Sequence, residues 1–293
     1  MPTCTQRCPP RRSRRARRSA SNIAPPPIST GIGSFRATRR SGPRAGRSKA
    51  RRGPEVRIAA ITDIHALAAP FERALAAARA DGFDTLVVMG DLLTYGVEPQ
   101  RTLDAASEAA ATDGAIFLIG NHDALYRDLA HGERAYYDRL PGWLKETVDW
   151  TAAHADLTQL EALPWQDEWQ HGDLLVAHAN PFGARDWTYL TDDSALARAC
   201  ETLAERGLRH GVFGHSHRAR AHDDGTASVT TLPALGQPRD RDDRRPQWSV
   251  IEVCDRLSIE SRPVPFDADA HCAAIGATTM SPATKERLCS YFH

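Results

Sequence analysis

The chain has 293 residues, with 37 Lys+Arg, 37 Asp+Glu and a formal net charge of zero. This is enough chain for one large domain or two small ones, and enough to bury a sizeable core. No stretch approaches the ~20 apolar residues of a membrane-spanning helix. Six cysteines without a C-x-x-C pair argue against a disulfide scaffold or a thiolate zinc site, so a reducing, cytoplasmic setting is expected.

The zero is a sum of opposites. Residues 1–54 hold 15 of the Lys and Arg residues and no acid, which leaves 22 basic against 37 acidic residues in the remainder, a net of −15. This leader is rich in Arg, Pro and Ser and poor in large apolar side chains, so it cannot offset its ordering entropy and is expected to be disordered. It lacks the apolar run of a secretory signal. Three roles fit it: a tail for nucleic acid or a membrane surface, a transit-type peptide, or translated upstream sequence with no role and a true start near Val56. Only Lys49, Lys145 and Lys285 are lysines. That bias points to a GC-rich coding sequence and favours the last of the three.

From residue 55 the pattern alternates. Val56–Ile61 reads as a buried strand, Phe71–Ala80 as a helix, Thr85–Met89 as a strand, Pro99–Ala111 as a helix opened by proline, and Ala115–Ile119 as a third strand. A βαβαβ order implies a largely parallel, two-side-covered sheet. A helical insert follows over residues 142–163, with Trp143, Leu144, Val148 and Trp150 as packing residues and Asp156 as a cap. Leu174–Ala177 and Gly211–Phe213 read as strands, with Asp193–Arg206 as a helix between them. Ser228–Thr231, Trp248–Val253 and Leu257–Arg262 alternate like β-structure and suggest a second sheet of later strands. Residues 55–266 form the expected domain, followed by a partly helical tail, 267–293.

The polar residues fall at the strand ends. The first strand runs into Asp63-Ile64-His65, the second into Gly90-Asp91 and the third into Gly120-Asn121-His122-Asp123. The fourth runs into His178 and the fifth into Gly214-His215-Ser216-His217. Ligands bind beyond the carboxyl ends of strands in open α/β sheets. Each element alone has an ordinary explanation: a loop detail, a turn, a core histidine, a helix cap. Their joint placement does not. Oxygen and nitrogen donors without thiolate suit manganese, iron or zinc, and there are too many for one tetrahedral ion. Two metals sharing a carboxylate fit better. The other histidines, such as His131, His154, His171 and His222, lack this placement and are expected at the surface.

Together these five blocks resemble the signature of calcineurin-like metallophosphoesterases over residues 56–264, most nearly the small bacterial and archaeal phosphodiesterase-like branch. Gly90-Asp91-Leu92-Leu93-Thr94-Tyr95-Gly96 is similar to that branch's second block. Gly236-Gln237-Pro238-Arg239, with Trp248–Val253, is similar to its closing strand pair. The resemblance implies an α/β fold of four layers, α-β-β-α, with two mixed sheets and a dinuclear site at the strand rim. It implies that Asp63, His65 and His217 hold one metal and Asn121, His178 and His215 another, bridged by Asp91. The metals would be manganese, with iron, zinc or nickel as alternatives. His122 would be the general acid, oriented by Asp123.

The implied reaction is hydrolysis of a phosphate ester, foremost a phosphodiester, by a hydroxide bridging the metals. Phosphomonoesterase activity, on phosphoproteins or on nucleotides and dinucleoside polyphosphates, is the alternative, and a non-catalytic scaffold a remoter one. The substrate would be a phosphorylated small molecule, nucleotide or phosphopeptide, with no membrane partner and nucleic-acid contact only through the leader. Arg185 and Arg239 are weaker candidates for touching substrate, and Trp187 and Tyr189 for walling its pocket, although core packing is the expected role of the two aromatics. The chain departs from the branch where Ala66-Leu67 stands for Gly-Asn, and where Leu232-Pro233-Ala234-Leu235 replaces a Pro-Gly-Ser stretch.

Overall fold

The computed structural model describes residues 56–240, 242–254 and 256–293, and the expectations for residues 1–54 lie outside these. In chain order the first half runs β1 (Val56–Ile61), α1 (Ala68–Asp81), β2 (Thr85–Val88), α2 (Pro99–Asp113), β3 (Ile116–Leu118), α3 (Asn121–Ala130), α4 (Ala135–Asp138), α5 (Gly142–Ala152) and α6 (Leu157–Glu161). The second half runs β4 (Trp165–Gln166), β5 (Glu168–His171), β6 (Leu174–Ala177), α7 (Asp193–Glu205), β7 (His210–Phe213), β8 (Arg220–Asp223) and β9 (Ser228–Thr231). It ends with β10 (Gln247–Val253), β11 (Leu257–Pro263), α8 (Ala268–Gly276) and α9 (Pro282–Cys289). Among the described residues no helix is long and apolar enough to cross a membrane.

The strands form two mixed sheets. One is ordered β11-β10-β1-β2-β3-β4, the other β5-β6-β7-β9-β8. Side chains alternate across each strand, so every strand faces two cores. Ile58, Ala60, Val87, Met89 and Leu118 of the first sheet meet Leu174, Val176 and Val212 of the second. Ala59, Ile61, Leu86 and Val88 turn the other way onto Phe71, Leu75 and Leu103 of α1 and α2. Leu175, Ala177 and Phe213 turn outward onto Leu196, Ala199 and Leu203 of α7. The result is four layers, helix–sheet–sheet–helix.

One expectation is corrected and one gap is filled. The later strands do not make the second sheet by themselves: β10 pairs antiparallel with β1 and brings β11 with it, whereas β6 and β7 leave the first sheet to found the second, joined there by β9. Local alternation says that a segment is a strand but not which edge it joins. Asn121, His122 and Asp123, for which the sequence pattern names no element, are helical. They are the first turn of α3, whose apolar positions Ala124 and Leu125 are buried behind them.

Residues 267–293 fold back onto the helix layer of the first sheet. Asp267 caps α8 by accepting from Ala270 N at 2.9 Å, and Ile275, Met280 and Leu288 enter the core with α1 and α5. On α8, His271 is 8% exposed rather than at the surface, wedged between the Phe266 and Phe292 rings at 5.5 and 5.0 Å. Its Nε2 has no hydrogen-bond partner. Burial pushes this imidazole down to about 4, only partly opposed by Glu98.

A histidine held below its unfolded value binds fewer protons folded than unfolded. Its stabilisation is complete above the unfolded pKa, near 6.5, and is lost as pH falls toward 4. We expect acidification from pH 7 to 5 to cost about 2 kcal/mol through this residue. Thermal melts of the full chain check this, and His271→Leu should flatten the pH dependence. An equally steep loss in that variant would assign the acid sensitivity elsewhere.

Candidate metal centre

Five of the seven expected ligands sit where their strand has just ended and the backbone turns left-handed. Asp63 has φ +53°, His65 +50°, Asp91 +55°, His215 +61° and His217 +57°. Such angles are costly for residues with a Cβ, and they cluster at functional sites. The glycines beside them make room. A Cβ on Gly120 would lie 2.2 Å from Asp91 Oδ1, and one on Gly214 would lie 2.0 Å from Thr62 Oγ1. These blocks need glycine because carboxylate and backbone are packed against each other.

The hydrogen bonds fix which nitrogen of each imidazole is free. His65 Nδ1 lies 3.0 Å from Leu93 O, His178 Nδ1 2.7 Å from Met89 O and His217 Nδ1 2.7 Å from Gln237 O. His215 uses its other nitrogen, with Nε2 3.0 Å from Trp187 O. A carbonyl only accepts, so each of these nitrogens donates, and the opposite nitrogen of a neutral ring carries a lone pair.

Those lone pairs converge. His65 Nε2 and His217 Nε2 are 3.2 Å apart, and His217 Nε2 is also 3.2 Å from Asp63 Oδ1. His178 Nε2 is 3.3 Å from His215 Nδ1 and 3.4 Å from Asn121 Oδ1. Asn121 shows that oxygen inward because its amide nitrogen donates to Tyr136 Oη at 3.2 Å. Asp91 Oδ2 stands between the groups, 3.7 Å from His65 Nε2 and 3.5 Å from His178 Nε2.

Acceptors facing acceptors, all buried, repel unless a cation lies among them. Asp63 Oδ1 has no hydrogen-bond donor at all. Two groups of donors therefore fit a metal: Asp63, His65, Asp91 and His217, and Asp91, His178 and His215, the second with Asn121 beside it. Asp91 belongs to both. Burial pushes the Asp91 carboxyl up to about 8 and holds the His65 and His215 imidazoles well below the usual histidine range. Burial works against the charge on Asp63, yet His217, His178 and His65 hold its carboxyl well below the usual carboxylate range.

His122 stands beside the donors without joining them. Its ring meets His65 edge-on at 5.2 Å, and its backbone N–H donates to Asp91 Oδ1 at 2.8 Å. Asp123 does not orient it. From the third position of α3 the Asp123 carboxylate reaches back to the N–H groups of Gly120, Asp91 and Leu92 at 2.9, 2.6 and 3.0 Å and makes no hydrogen bond to the His122 ring. The ring partner is Tyr95, with Oη 3.2 Å from His122 Nε2. Tyr95 belongs to the Gly90–Gly96 block, where nothing in its spacing marks it.

Calcineurin-like phosphoesterase is the family whose model matches this chain, over residues 56–219. The chain belongs to that family. This calcineurin-like phosphoesterase is accordingly a metallophosphoesterase, a hydrolase acting on phosphate ester bonds. Its fold is similar to that of a metallophosphoesterase from Sphaerobacter thermophilus, with a TM-score of 0.61 at 20% identity over 80% of this chain and 99% of that one. It is also similar to that of a hypothetical protein from Pyrococcus horikoshii OT3, with a TM-score of 0.66 at 16% identity over 80% and 97%. No curated protein matches the chain.

Around the phosphoesterase site the weaker expectations divide. Arg185 is half exposed and paired with Asp128 at 2.9 Å, an ordinary surface arginine. Tyr189 is not core: it is 44% exposed and stacks on His215, with ring centroids 4.1 Å apart. Trp187 is partly buried against His178 and His215.

Proposed function

We propose that this phosphoesterase hydrolyses phosphodiesters at a site holding two divalent ions, manganese foremost. The observation that carries the proposal is the convergence of buried nitrogen and oxygen donors on either side of Asp91, with one imidazole, His122, left beside them. Asp63, His65, Asp91 and His217 would hold one ion, and Asp91, Asn121, His178 and His215 the other. When bound, two such ions withdraw charge from a phosphoryl group and acidify water so that it attacks near neutral pH.

The protein's own groups do the rest. The four backbone carbonyls behind the imidazoles keep each ring in the tautomer and orientation that presents its lone pair. His122 gives a proton to the leaving oxygen, and Tyr95 holds the ring from turning away. Burial, with the like charges of His217 and Arg239, holds the free imidazole down to about 3. An anionic phosphoryl group beside it acts in the opposite sense, so substrate itself charges the acid. Asp123, tied to three N–H groups, keeps Asp91 and the start of α3 in register.

The diester preference draws support from charge. Lysine is nearly absent from the chain, and Arg185 is paired with Asp128 whereas Arg239 has no carboxylate partner among the described residues. So sparse a set of cations suits a monoanion better than the dianion of a monoester. The test is hydrolysis of a bis-aryl phosphate against an aryl phosphate, nucleotides and a phosphopeptide, each with added manganese and with chelator. We expect metal-dependent turnover at least tenfold more efficient on the diester. A preference for the monoesters would make the chain a phosphatase, and no metal-dependent turnover on any substrate would favour a scaffold.

A further inference from the structure

Resting on the phosphoesterase function proposed above, we infer that Arg239 is a substrate-binding residue whose guanidinium takes the non-bridging phosphoryl oxygens. The loop that carries it is fastened to the metal-binding strand ends. Leu235 N donates to Thr62 O at 3.0 Å and Gly236 N to Asp63 O at 2.6 Å. A Cβ on Gly236 would lie 2.3 Å from Ile64 O, so only glycine allows this approach. The next residue, Gln237, is buried in a left-handed turn at φ +48° and accepts at its carbonyl from His217 Nδ1. Arg239 N then approaches His217 O at 3.4 Å, while Arg218 Nε donates to Arg239 O at 3.1 Å. Both ends of the peptide bearing the guanidinium are thus tied to the donor set or its flank.

The guanidinium itself is underused. Nη2 donates to Gln237 Oε1 at 2.9 Å, and among the described residues no carboxylate stands within ion-pair distance of it. An arginine has five N–H donors in a planar fork that matches two oxygens of a phosphate. Desolvation opposes the charge here, and Tyr189, Tyr95 and Asp63 favour it. The first two residues are also the lip over His215 and the partner of His122. The backbone bonds of its loop therefore hold Arg239 beside Asp63 and His217 of the donor set. Its Gln237 bond fixes the fork in advance, so little side-chain freedom remains to be lost when an anion arrives. Arg185 provides the contrast, since its own carboxylate partner already occupies it.

The experiment uses the full chain loaded with manganese. Inorganic phosphate binding is measured by titration calorimetry, and steady-state kinetics on a bis-aryl phosphate are measured alongside, for wild type, Arg239→Lys and Arg239→Ala. We expect Arg239→Ala to bind phosphate 10- to 100-fold more weakly and to show a matching rise in KM, with two ions per chain retained. Arg239→Lys, which keeps a charge but not the fork, should fall between. Millimolar guanidinium should restore part of the lost phosphate affinity in the alanine variant and none in wild type, a rescue that a purely structural role would not show. Should the alanine variant fold poorly, the lysine variant carries the comparison alone. Equal phosphate affinity in wild type and the folded variants overturns the assignment of Arg239 and leaves the phosphoesterase function standing. A wild-type protein that neither binds phosphate nor hydrolyses any phosphate ester overturns both.

Discussion

Asp91→Ala is expected to leave fewer than one divalent ion per chain and to lower kcat/KM at least 10³-fold. Asp91 Oδ2 is within 3.7 Å of donors in both groups, so its removal takes a ligand from each site at once, whereas loss of any other donor weakens one. Its Oδ1 also accepts from His122 N. Asp91→Asn keeps that bond and separates lost metal binding from a displaced acid. Stability offers an independent reading. A ligand that binds only the folded state adds about 4 kcal/mol at 1,000 times its Kd, on the order of 10 °C in Tm for a domain of this size. Wild type should gain that increment on adding manganese, and neither variant should. Elemental analysis showing two ions per chain in both variants would remove Asp91 from its shared position.

His122→Ala is expected to retain both ions and to lose roughly 10²- to 10⁴-fold in kcat, the range for a missing general acid. Metal content should hold because the ring stands edge-on to His65 and contributes no lone pair to either donor group. The loss should track the leaving group. A nitrophenolate departs readily without a proton, so nitrophenyl esters should suffer least and alkyl esters most. An identical loss across a series of leaving groups would show that His122 positions the substrate rather than protonating the departing oxygen. The series needs only diesters of graded phenols and one alkyl ester, assayed at fixed metal concentration.

Much of this architecture could be read from residue order because its strands are buried on both faces, and such strands appear as short apolar runs. β1, β2, β3, β6 and β7 are of this kind, and each ends in a polar block, so the ligand types were legible as well. What escaped lacks that contrast. β8 is Arg-Ala-His-Asp, an edge strand with one small apolar residue, and β4 has only two residues. The start of α3 was hidden because its first turn is made of site residues. The placement of β10 beside β1 is a long-range pairing with no local mark. Within the site, Tyr95 of the loop after β2 and Tyr136 of α4 hold His122 and Asn121 through their hydroxyls. Their roles arise only when distant segments meet. Asp123 misled for the opposite reason: the family resemblance implied that it orients His122, but helix geometry aims its carboxylate backward at the cap.

Each donor group draws on both sheets. Asp63, His65, Asp91 and Asn121 come from the ends of the first sheet's strands, and His178, His215 and His217 from the second. A chain emerging from the ribosome therefore completes neither site until β7 has been made and docked, and the first sheet itself waits for β10. No segment made before β7 holds either donor group complete. The tightest-binding cellular cation gains no head start, as it would in a protein nucleated by its metal. On the proposed assignment of ligands, metallation would be a late event at a finished cleft, where the spacing of fixed lone pairs, rather than the order of arrival, selects the ion.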